Sequence, residues 1–128
     1  MSAAATYVAR PEHCDDSVDL SVVVPAWNEA GRLPALLTSL AEHTDVSSTE
    51  VLVVDDGSDD RTVEVALEFV ATLPLLRVVE HGTNRGKGAA VRTGVLQARG
   101  RLVAFVDADD ATDLSAVSYT HLTLPTKA

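Results

Sequence analysis

Hydrophobic residues are grouped along this chain into short blocks separated by polar segments. Four blocks rich in valine and leucine show no regular alternation of apolar and polar positions, and they occupy residues 20–24, 50–54, 76–80 and 102–106. Short blocks without alternation are typical of strands that are buried on both faces of a sheet. The pattern therefore predicts four strands, the first of them ended by Pro25.

Segments with helical periodicity separate these blocks. Leucines recur every three or four positions over residues 32–42, which predicts a helix with one apolar stripe. Residues 60–73 predict a second helix with an N-cap at Ser58 or Asp59, and a third helix follows a glycine-rich turn and includes Ala98. Strands that alternate with helices predict an α/β fold with parallel pairing and right-handed crossovers. The residues of the second helix predicted to face the sheet are Val63, Leu67 and Val70.

Distinctive polar residues follow the end of each predicted strand. The carboxyl ends of parallel strands lie along one edge of a sheet, and ligands of α/β proteins bind in the crevice at that edge. Segments that are far apart in the chain should therefore meet around one ligand. These segments are residues 25–29, 55–56, 84–87 and 107–109.

Two adjacent carboxylates, Asp55 and Asp56, follow the second predicted strand. A turn that leads into a helix cap accounts for the next residues, Gly57 and Ser58. Such a turn does not require two neighbouring negative charges, which repel each other. Asp55 and Asp56 are therefore candidate binding residues, with an ordinary turn as the alternative.

The glycine-rich turn at residues 82–88 resembles a phosphate-binding loop without matching the established patterns. Only three residues separate Gly82 from Gly86, and Gly88 stands where a P-loop has Ser or Thr. The three spaced glycines of a dinucleotide site are also missing after the first strand, so neither an ATPase nor an NAD enzyme is favoured. Two interpretations remain: a flexible basic turn, or a site where Arg85 or Lys87 and helix-start amides face a diphosphate.

The triplet Asp107-Ala108-Asp109 directly follows the fourth predicted strand. In an extended segment residues two positions apart point to the same side, so both carboxylates can face one hard cation. Mg²⁺ or Mn²⁺ fits oxygen ligands of this kind, whereas the Cys and His cluster that zinc requires is absent from the sequence. A solvated acidic loop is the alternative.

Composition narrows the classes of function. The 128 residues are 46% hydrophobic, which suits one globular domain, and the formal net charge of −9 disfavours binding to nucleic acid. Residues 1–19 form a polar leader without the features of a signal peptide, and no apolar run is long enough to span a bilayer. Cys14 has no disulfide partner in the chain. These features predict a cytoplasmic protein.

The last stretch of the chain abandons the preceding pattern. Residues 117–128 resemble one reading frame of a widely used sequencing adapter, so we interpret them as a non-native tail that ends a truncated natural domain at residues 20–116. Tyr119 and His121 then carry no functional weight. A genuine C-terminal strand is the alternative.

Four motifs together resemble the family 2 glycosyltransferases of the GT-A fold, and they appear in the family's order. The resemblance covers about residues 20–113 and implies a Rossmann-like nucleotide-sugar-binding domain with a mainly parallel sheet flanked by helices. Residues 85–94 and 110–112 are most similar to the branch that glucosylates dolichyl or polyprenyl phosphate, with the related mannosyltransferases close behind. The motifs are Pro-Ala-Trp-Asn-Glu at 25–29, Asp-Asp-Gly-Ser at 55–58, Arg-Gly-Lys-Gly at 85–88 and Asp-Ala-Asp at 107–109.

The resemblance also implies roles for individual residues. Asp56 would contact the uracil or ribose, Lys87 would lie near the phosphates, and Asp107 with Asp109 would hold Mg²⁺ or Mn²⁺, with Asp109 as the catalytic residue. The implied donor is a nucleoside diphosphate sugar, with UDP-glucose favoured, and the implied acceptor is polyprenyl or dolichyl phosphate, with inversion at the anomeric carbon. The residues that would line the nucleotide are Pro25, Ala26 and Glu29.

Two features limit what this resemblance implies. Trp27 and Asp110 depart from the family's usual residues, which leaves the sugar preference open. In this family the acceptor site, the catalytic base and any membrane segments follow the acid triplet, so membrane contact at the cytoplasmic face is expected only through those later parts. Two other functions stay open: a nucleotidyltransferase, disfavoured because no glycine-rich basic loop follows the first strand, and a non-catalytic nucleotide-binding module.

Overall fold

The computed structural model describes residues 5–8 and 17–107. Within these ranges the chain forms strands and helices in the order that the hydrophobic pattern predicts, with one additional strand near the start. The strands are β1 (Ala5–Val8), β2 (Leu20–Ala26), β3 (Thr49–Asp55), β4 (Leu76–Glu80) and β5 (Leu102–Val106), and the helices are α1 (Leu33–His43), α2 (Thr62–Leu67) and α3 (Lys87–Gln97).

The strands form one sheet in the order β1-β5-β2-β3-β4. Strands β5, β2, β3 and β4 are parallel, which confirms the predicted α/β architecture. The added strand β1 pairs antiparallel with β5, with Ala5 opposite Val106, and it lies within the segment interpreted as a leader. Strand β2 continues through Pro25 to Ala26, two residues beyond the predicted block at residues 20–24.

Both faces of the sheet are covered, which explains why the strands lack alternation. On one face Val22 and Val24 pack with the four leucines of α1 that the sequence places on its stripe, and on the other Val23 packs with Ala90 of α3. Helix α3 approaches β2 closely, since a Cβ added at Gly94 would lie 2.3 Å from Cγ1 of Val23. The leucines are Leu33, Leu36, Leu37 and Leu40.

Helix α2 departs most from the sequence-based expectation. The helix predicted over residues 60–73 is observed only at Thr62–Leu67. The predicted inward residues Leu67 and Val70 are about half exposed, at 48% and 50%, while Thr62 and Ala66 are buried instead. The hydroxyl of Thr62 accepts a hydrogen bond from the backbone N–H of Glu29, so the side of α2 that carries Thr62 faces the loop after β2. Neither Ser58 nor Asp59 caps the helix.

The start of α2 is held by Asp60 instead. Its carboxylate accepts the backbone N–H of Thr62 at 3.0 Å, and it also receives the N–H of Ala30 at 3.3 Å. These bonds lower the pKa of Asp60 although burial opposes them. Within residues 17–107 no helix is long and apolar enough to cross a membrane.

Candidate functional site

A cleft of about 270 Å³ opens at the carboxyl ends of β2 and β5. The chain runs from β2 outward to β3 and β4 and then returns to place β5 on the other side of β2, so the strand order reverses here. Crevices at such reversal points are the usual ligand sites of α/β sheets. The cleft is lined by Pro25, Ala26, Trp27, Glu29, Asp56, Asn84, Gly86, Lys87, Ala90 and Asp107.

The cleft brings together most of the residues that the sequence selects. Asp55 and Arg85 stand beside it in the chain but are not part of its lining, and Asp109 lies outside the described residues. As predicted, the residues that follow the four strands meet at one cleft, within the part of each segment that the structure describes. The selected residues in the lining are Pro25, Ala26, Glu29, Asp56, Lys87 and Asp107.

The loop after β2 is tied to the loop after β3. Asn28 has φ 53°, a left-handed conformation that asparagine tolerates better than most residues. Its backbone N–H donates to Oγ of Ser58 at 2.9 Å, and its side-chain oxygen accepts the N–H of Asp59 at 2.8 Å. The next residue, Glu29, is thereby held at the cleft with its carboxylate mostly buried and 3.3 Å from the guanidinium of Arg32.

The carboxylate of Asp56 is buried and accepts three hydrogen bonds. The backbone N–H groups of Arg85 and Gly86 and the ring Nδ1 of His81 each lie 2.8 Å from its oxygens. Burial alone would raise the pKa of Asp56, but these donors outweigh burial and lower the pKa below its ordinary value. Asp56 thus ties the loop after β4 to the end of β3.

The neighbouring Asp55 is also buried but belongs to a different group of contacts. Both of its carboxylate oxygens lie 3.4 Å from the backbone N–H of Ser58, within its own turn. The two adjacent acids therefore have separate hydrogen-bond donors. Gly57, which follows the two acids, has φ +79°. A Cβ added at Gly57 would lie 2.7 Å from the backbone nitrogen of Asn84, so this turn packs directly on the loop after β4.

His81 was not selected from the sequence, yet it is buried at the end of β4. One ring nitrogen faces Asp56, and the other, Nε2, lies 2.8 Å from Oγ1 of Thr93 on α3. In the sequence His81 is simply the residue before the glycine-rich turn. Its burial depends on Asp56 and Thr93, which lie 25 and 12 positions away, and no local pattern signals this arrangement.

The start of α3 forms one wall of the cleft. Gly86, with φ +100°, leads into the helix, and no side chain caps the first turn. The amides at a helix start attract anions, and Lys87 adds a positive charge at the same place. The ammonium of Lys87 contacts a carboxylate oxygen of Asp107 across the cleft. This wall suits a ligand that carries phosphate groups.

The residues expected to hold a metal are described only in part. Asp107 presents an oxygen to a cationic group in the cleft, which fits the hard oxygen donor that Mg²⁺ or Mn²⁺ requires. Among the described residues no group of three His, Cys, Asp or Glu side chains is arranged to bind a metal ion. The second expected ligand, Asp109, falls outside that part of the chain.

Comparison with known proteins gives a consistent result. The sequence profile of Glycosyl transferase family 2 matches residues 21–118. The dolichyl-phosphate beta-glucosyltransferase of Drosophila melanogaster is 48% identical over 105 residues, covering 75% of this chain and 32% of that protein. That of Saccharomyces cerevisiae is 41% identical over 115 residues, covering 83% and 34%. The chain spans about a third of the length of the curated relatives it matches.

Two solved structures share the fold at 35% and 32% sequence identity. The S. aureus TarS 1-349 structure in complex with UDP-GlcNAc has a TM-score of 0.71 at 35% identity, covering 77% of this chain and 28% of that one. The mannosyltransferase PcManGT from Pyrobaculum calidifontis, in complex with GDP-Man and Mn²⁺, has a TM-score of 0.66 at 32% identity, covering 81% and 31%.

Proposed function

The chain belongs to glycosyl transferase family 2, and from this premise we propose that the full-length protein transfers glucose from UDP-glucose to dolichyl or polyprenyl phosphate. One observation carries the proposal: Lys87 and the start of α3 face Asp107 across a cleft at the reversal point of the sheet. The similarity to dolichyl-phosphate beta-glucosyltransferases supports the sugar and the acceptor. The reaction would take place at the cytoplasmic face of a membrane.

In this proposal the cleft divides into a nucleoside part and a diphosphate part. Pro25, Ala26 and Glu29 would line the nucleoside, with Asp56 at its uracil or ribose. Lys87 would move from Asp107 to the diphosphate, because phosphate oxygens offer it more negative charge than a single carboxylate does.

Asp107 and Asp109 would together hold Mg²⁺ or Mn²⁺. Such a cation, when bound, would offset the negative charge that grows on the departing diphosphate. The complex of PcManGT with GDP-Man and Mn²⁺ supports the use of a divalent metal. Lys87 and the amides of α3 would add further positive potential on the same side of the cleft.

The reaction requires little help from a base in this scheme. A phosphate monoester has a second pKa of about 6, so the acceptor is mostly dianionic at neutral pH. One of its oxygens would form a bond to the anomeric carbon while the bond from that carbon to the UDP oxygen breaks, with the electron pair leaving on UDP. Attack opposite the leaving group inverts the anomeric configuration.

The donor and acceptor are tested together with labelled sugars. Membranes that contain the full-length protein are incubated with labelled UDP-glucose or labelled GDP-mannose, and the lipid is then extracted. We expect label in lipid from UDP-glucose. Lipid label from GDP-mannose alone would assign the protein to the mannosyl branch, and label only in water-soluble glycans would exclude the lipid acceptor.

The acid triplet is tested by Asp109→Asn. We expect transfer to fall roughly 100-fold to 1,000-fold, the scale of removing one group that stabilises transition-state charge. The melting temperature should not fall, because one fewer carboxylate relieves repulsion. Asp59→Asn, at an exposed turn, serves as the control. Full turnover by Asp109→Asn, or full activity in excess chelator, would contradict the metal site.

A further inference from the structure

We infer that His81 is a positioning residue for the diphosphate part of the cleft, acting through Asp56. His81, backed by Thr93, would hold the Asp56 carboxylate in place, and Asp56 in turn fixes the backbone that leads into α3. This inference rests on the proposed function, because it assigns the loop after β4 to a diphosphate.

The contacts form a continuous chain of hydrogen bonds through three elements. Oγ1 of Thr93 on α3 lies 2.8 Å from Nε2 of His81, and Nδ1 of His81 lies 2.8 Å from Oδ1 of Asp56. Oδ1 and Oδ2 of Asp56 then accept the N–H groups of Arg85 and Gly86, each at 2.8 Å. The chain starts in the middle of α3 and returns to the two residues just before the helix, so it braces the helix start against the sheet.

The chemistry of Asp56 fixes the direction of the bonds that it receives. An ionised carboxylate only accepts hydrogen bonds, so Nδ1 of His81 must carry a hydrogen and donate it to Asp56. The hydroxyl of Thr93 can both donate and accept, so it can pair with Nε2 whichever role that nitrogen takes. Each ring nitrogen therefore has a complementary partner, as a buried polar side chain requires.

The brace matters because the loop it holds is otherwise exposed. His81 is 7% exposed and Asp56 3%, whereas residues 82–85 are all exposed. Gly86 enters α3 with φ +100°, a backbone conformation that must be fixed if Lys87 is to point into the cleft. A displacement of the Asp56 carboxylate would move the Arg85 and Gly86 amides, and with them the anion-binding wall.

The test compares variants that keep or lose single bonds in the full-length protein. His81→Ala removes the brace, whereas His81→Asn keeps an N–H donor for Asp56. Thr93→Val removes only the hydroxyl, and Thr93→Ser retains it. His43→Ala is the matched control, because His43 is exposed on α1 and bonds to its own helix at Ser39. The readouts are the Kd for UDP, the KM and kcat for the nucleotide sugar, and the melting temperature.

We expect His81→Ala to raise the Kd for UDP and the KM roughly tenfold, the scale of losing one hydrogen bond to a charged group. His81→Asn should recover most of that loss. Thr93→Val should raise the Kd for UDP and the KM about threefold. Thr93→Ser and His43→Ala should match the wild type. If His81→Ala fails to fold, the comparison of Thr93→Val with Thr93→Ser decides.

Two outcomes separate this inference from the function on which it rests. Wild-type protein that neither binds UDP nor transfers sugar overturns the proposed function. Wild-type protein that does both, while folded His81 and Thr93 variants bind UDP equally well, overturns the positioning role alone. A fall in melting temperature with unchanged Kd and KM would show that the brace serves stability only, which also overturns it.

Discussion

Each end of β3 carries a buried carboxylate, and the two differ in what they hold. Glu50 lies at the amino end of the strand and Asp56 just beyond its carboxyl end, next to the cleft. Both are connected to α3: Asp56 accepts amides that precede the helix, and Glu50 accepts the backbone N–H of Arg99, two residues after its end. One helix is thus anchored at both ends by acids of the same strand.

Besides the Arg99 amide, Glu50 contacts two guanidinium groups and a hydroxyl, whereas no guanidinium contacts Asp56 among the hydrogen bonds described above. Its Oε2 lies 2.8 Å from the guanidinium of Arg77 and 3.1 Å from that of Arg99, and its Oε1 accepts the hydroxyl of Ser21 at 2.7 Å. Burial would raise the pKa of Glu50, but the Arg99 amide, Ser21 and Arg77 together lower it. A carboxylate compensated by two cations is expected to serve stability, whereas one that holds a ligand-facing loop is expected to serve binding.

The largest effect that would test this comparison is on stability at the Glu50 end. Glu50→Ala removes the buried acceptor shared by Ser21 and the partly exposed Arg77 and Arg99, and the loss of hydrogen bonds to a charged group is expected to cost about 1.5–3 kcal/mol of unfolding free energy. Urea unfolding measures the loss, with Glu64→Ala as the control because the Arg61–Glu64 pair is exposed. Folded Glu50→Ala protein should retain its affinity for UDP. A large loss of affinity would show that Glu50, like Asp56, also serves binding.

The next effect is on binding at the Asp56 end. Asp56→Ala should weaken UDP binding roughly tenfold, because both the loop amides and the nucleoside side of the cleft depend on this carboxylate. Asp59→Ala should leave affinity unchanged, since Asp59 is exposed and contributes its backbone N–H to Asn28. Calorimetric titration with UDP compares the two variants. Equal losses of affinity would show that Asp56 has no special role in binding.

The smallest effect is a shared dependence of stability on pH. Glu50 and Asp56 have lowered pKa values in the folded protein, from ordinary values of 4.5 and 3.8. Their stabilisation is present above those values and is lost as the pH falls through the lower folded-state values, because the unfolded chain binds protons first. Unfolding free energies measured from pH 7 down to pH 3 should fall below about pH 4.5, and Glu50→Gln should fall less steeply than the wild type.

The sequence predicts the sheet well because its information is local. The predicted bounds of β4 and β5 match the structure, and β3 extends one residue beyond its prediction at each end. The inward residues of the segment around α2 were predicted wrongly, because Ala66 and Leu73 are buried in place of Leu67 and Val70. The tertiary bond from Glu29 to Thr62, which accompanies this orientation, leaves no local signal in the sequence. Strand β1 was missed because four residues are too few to form a pattern.

The cleft residues that the sequence identifies are those whose side-chain charge is distinctive at a strand end. Lys87, Asp107 and Asp56 stand out as charges at strand ends, and topology brings them to one cleft. The side chain that holds Asp56 was missed, because His81 acquires its role only through Asp56 and Thr93, which lie 25 and 12 positions away. Side-chain identity therefore predicts which charged groups line the cleft, and tertiary contacts decide how they are held.

The pairing of β1 with β5 has a consequence for the order of folding. Ala5 lies opposite Val106, so this contact joins parts of the chain that are synthesised far apart in time. At roughly 5–20 residues per second, a ribosome would release β1 about 5–20 s before its partner exists. The parallel units around β2 and β3 can form in that interval, whereas β1 must wait unpaired. Its docking on β5 is therefore a late step, and until then the outer edge of β5 is open to pairing with other chains.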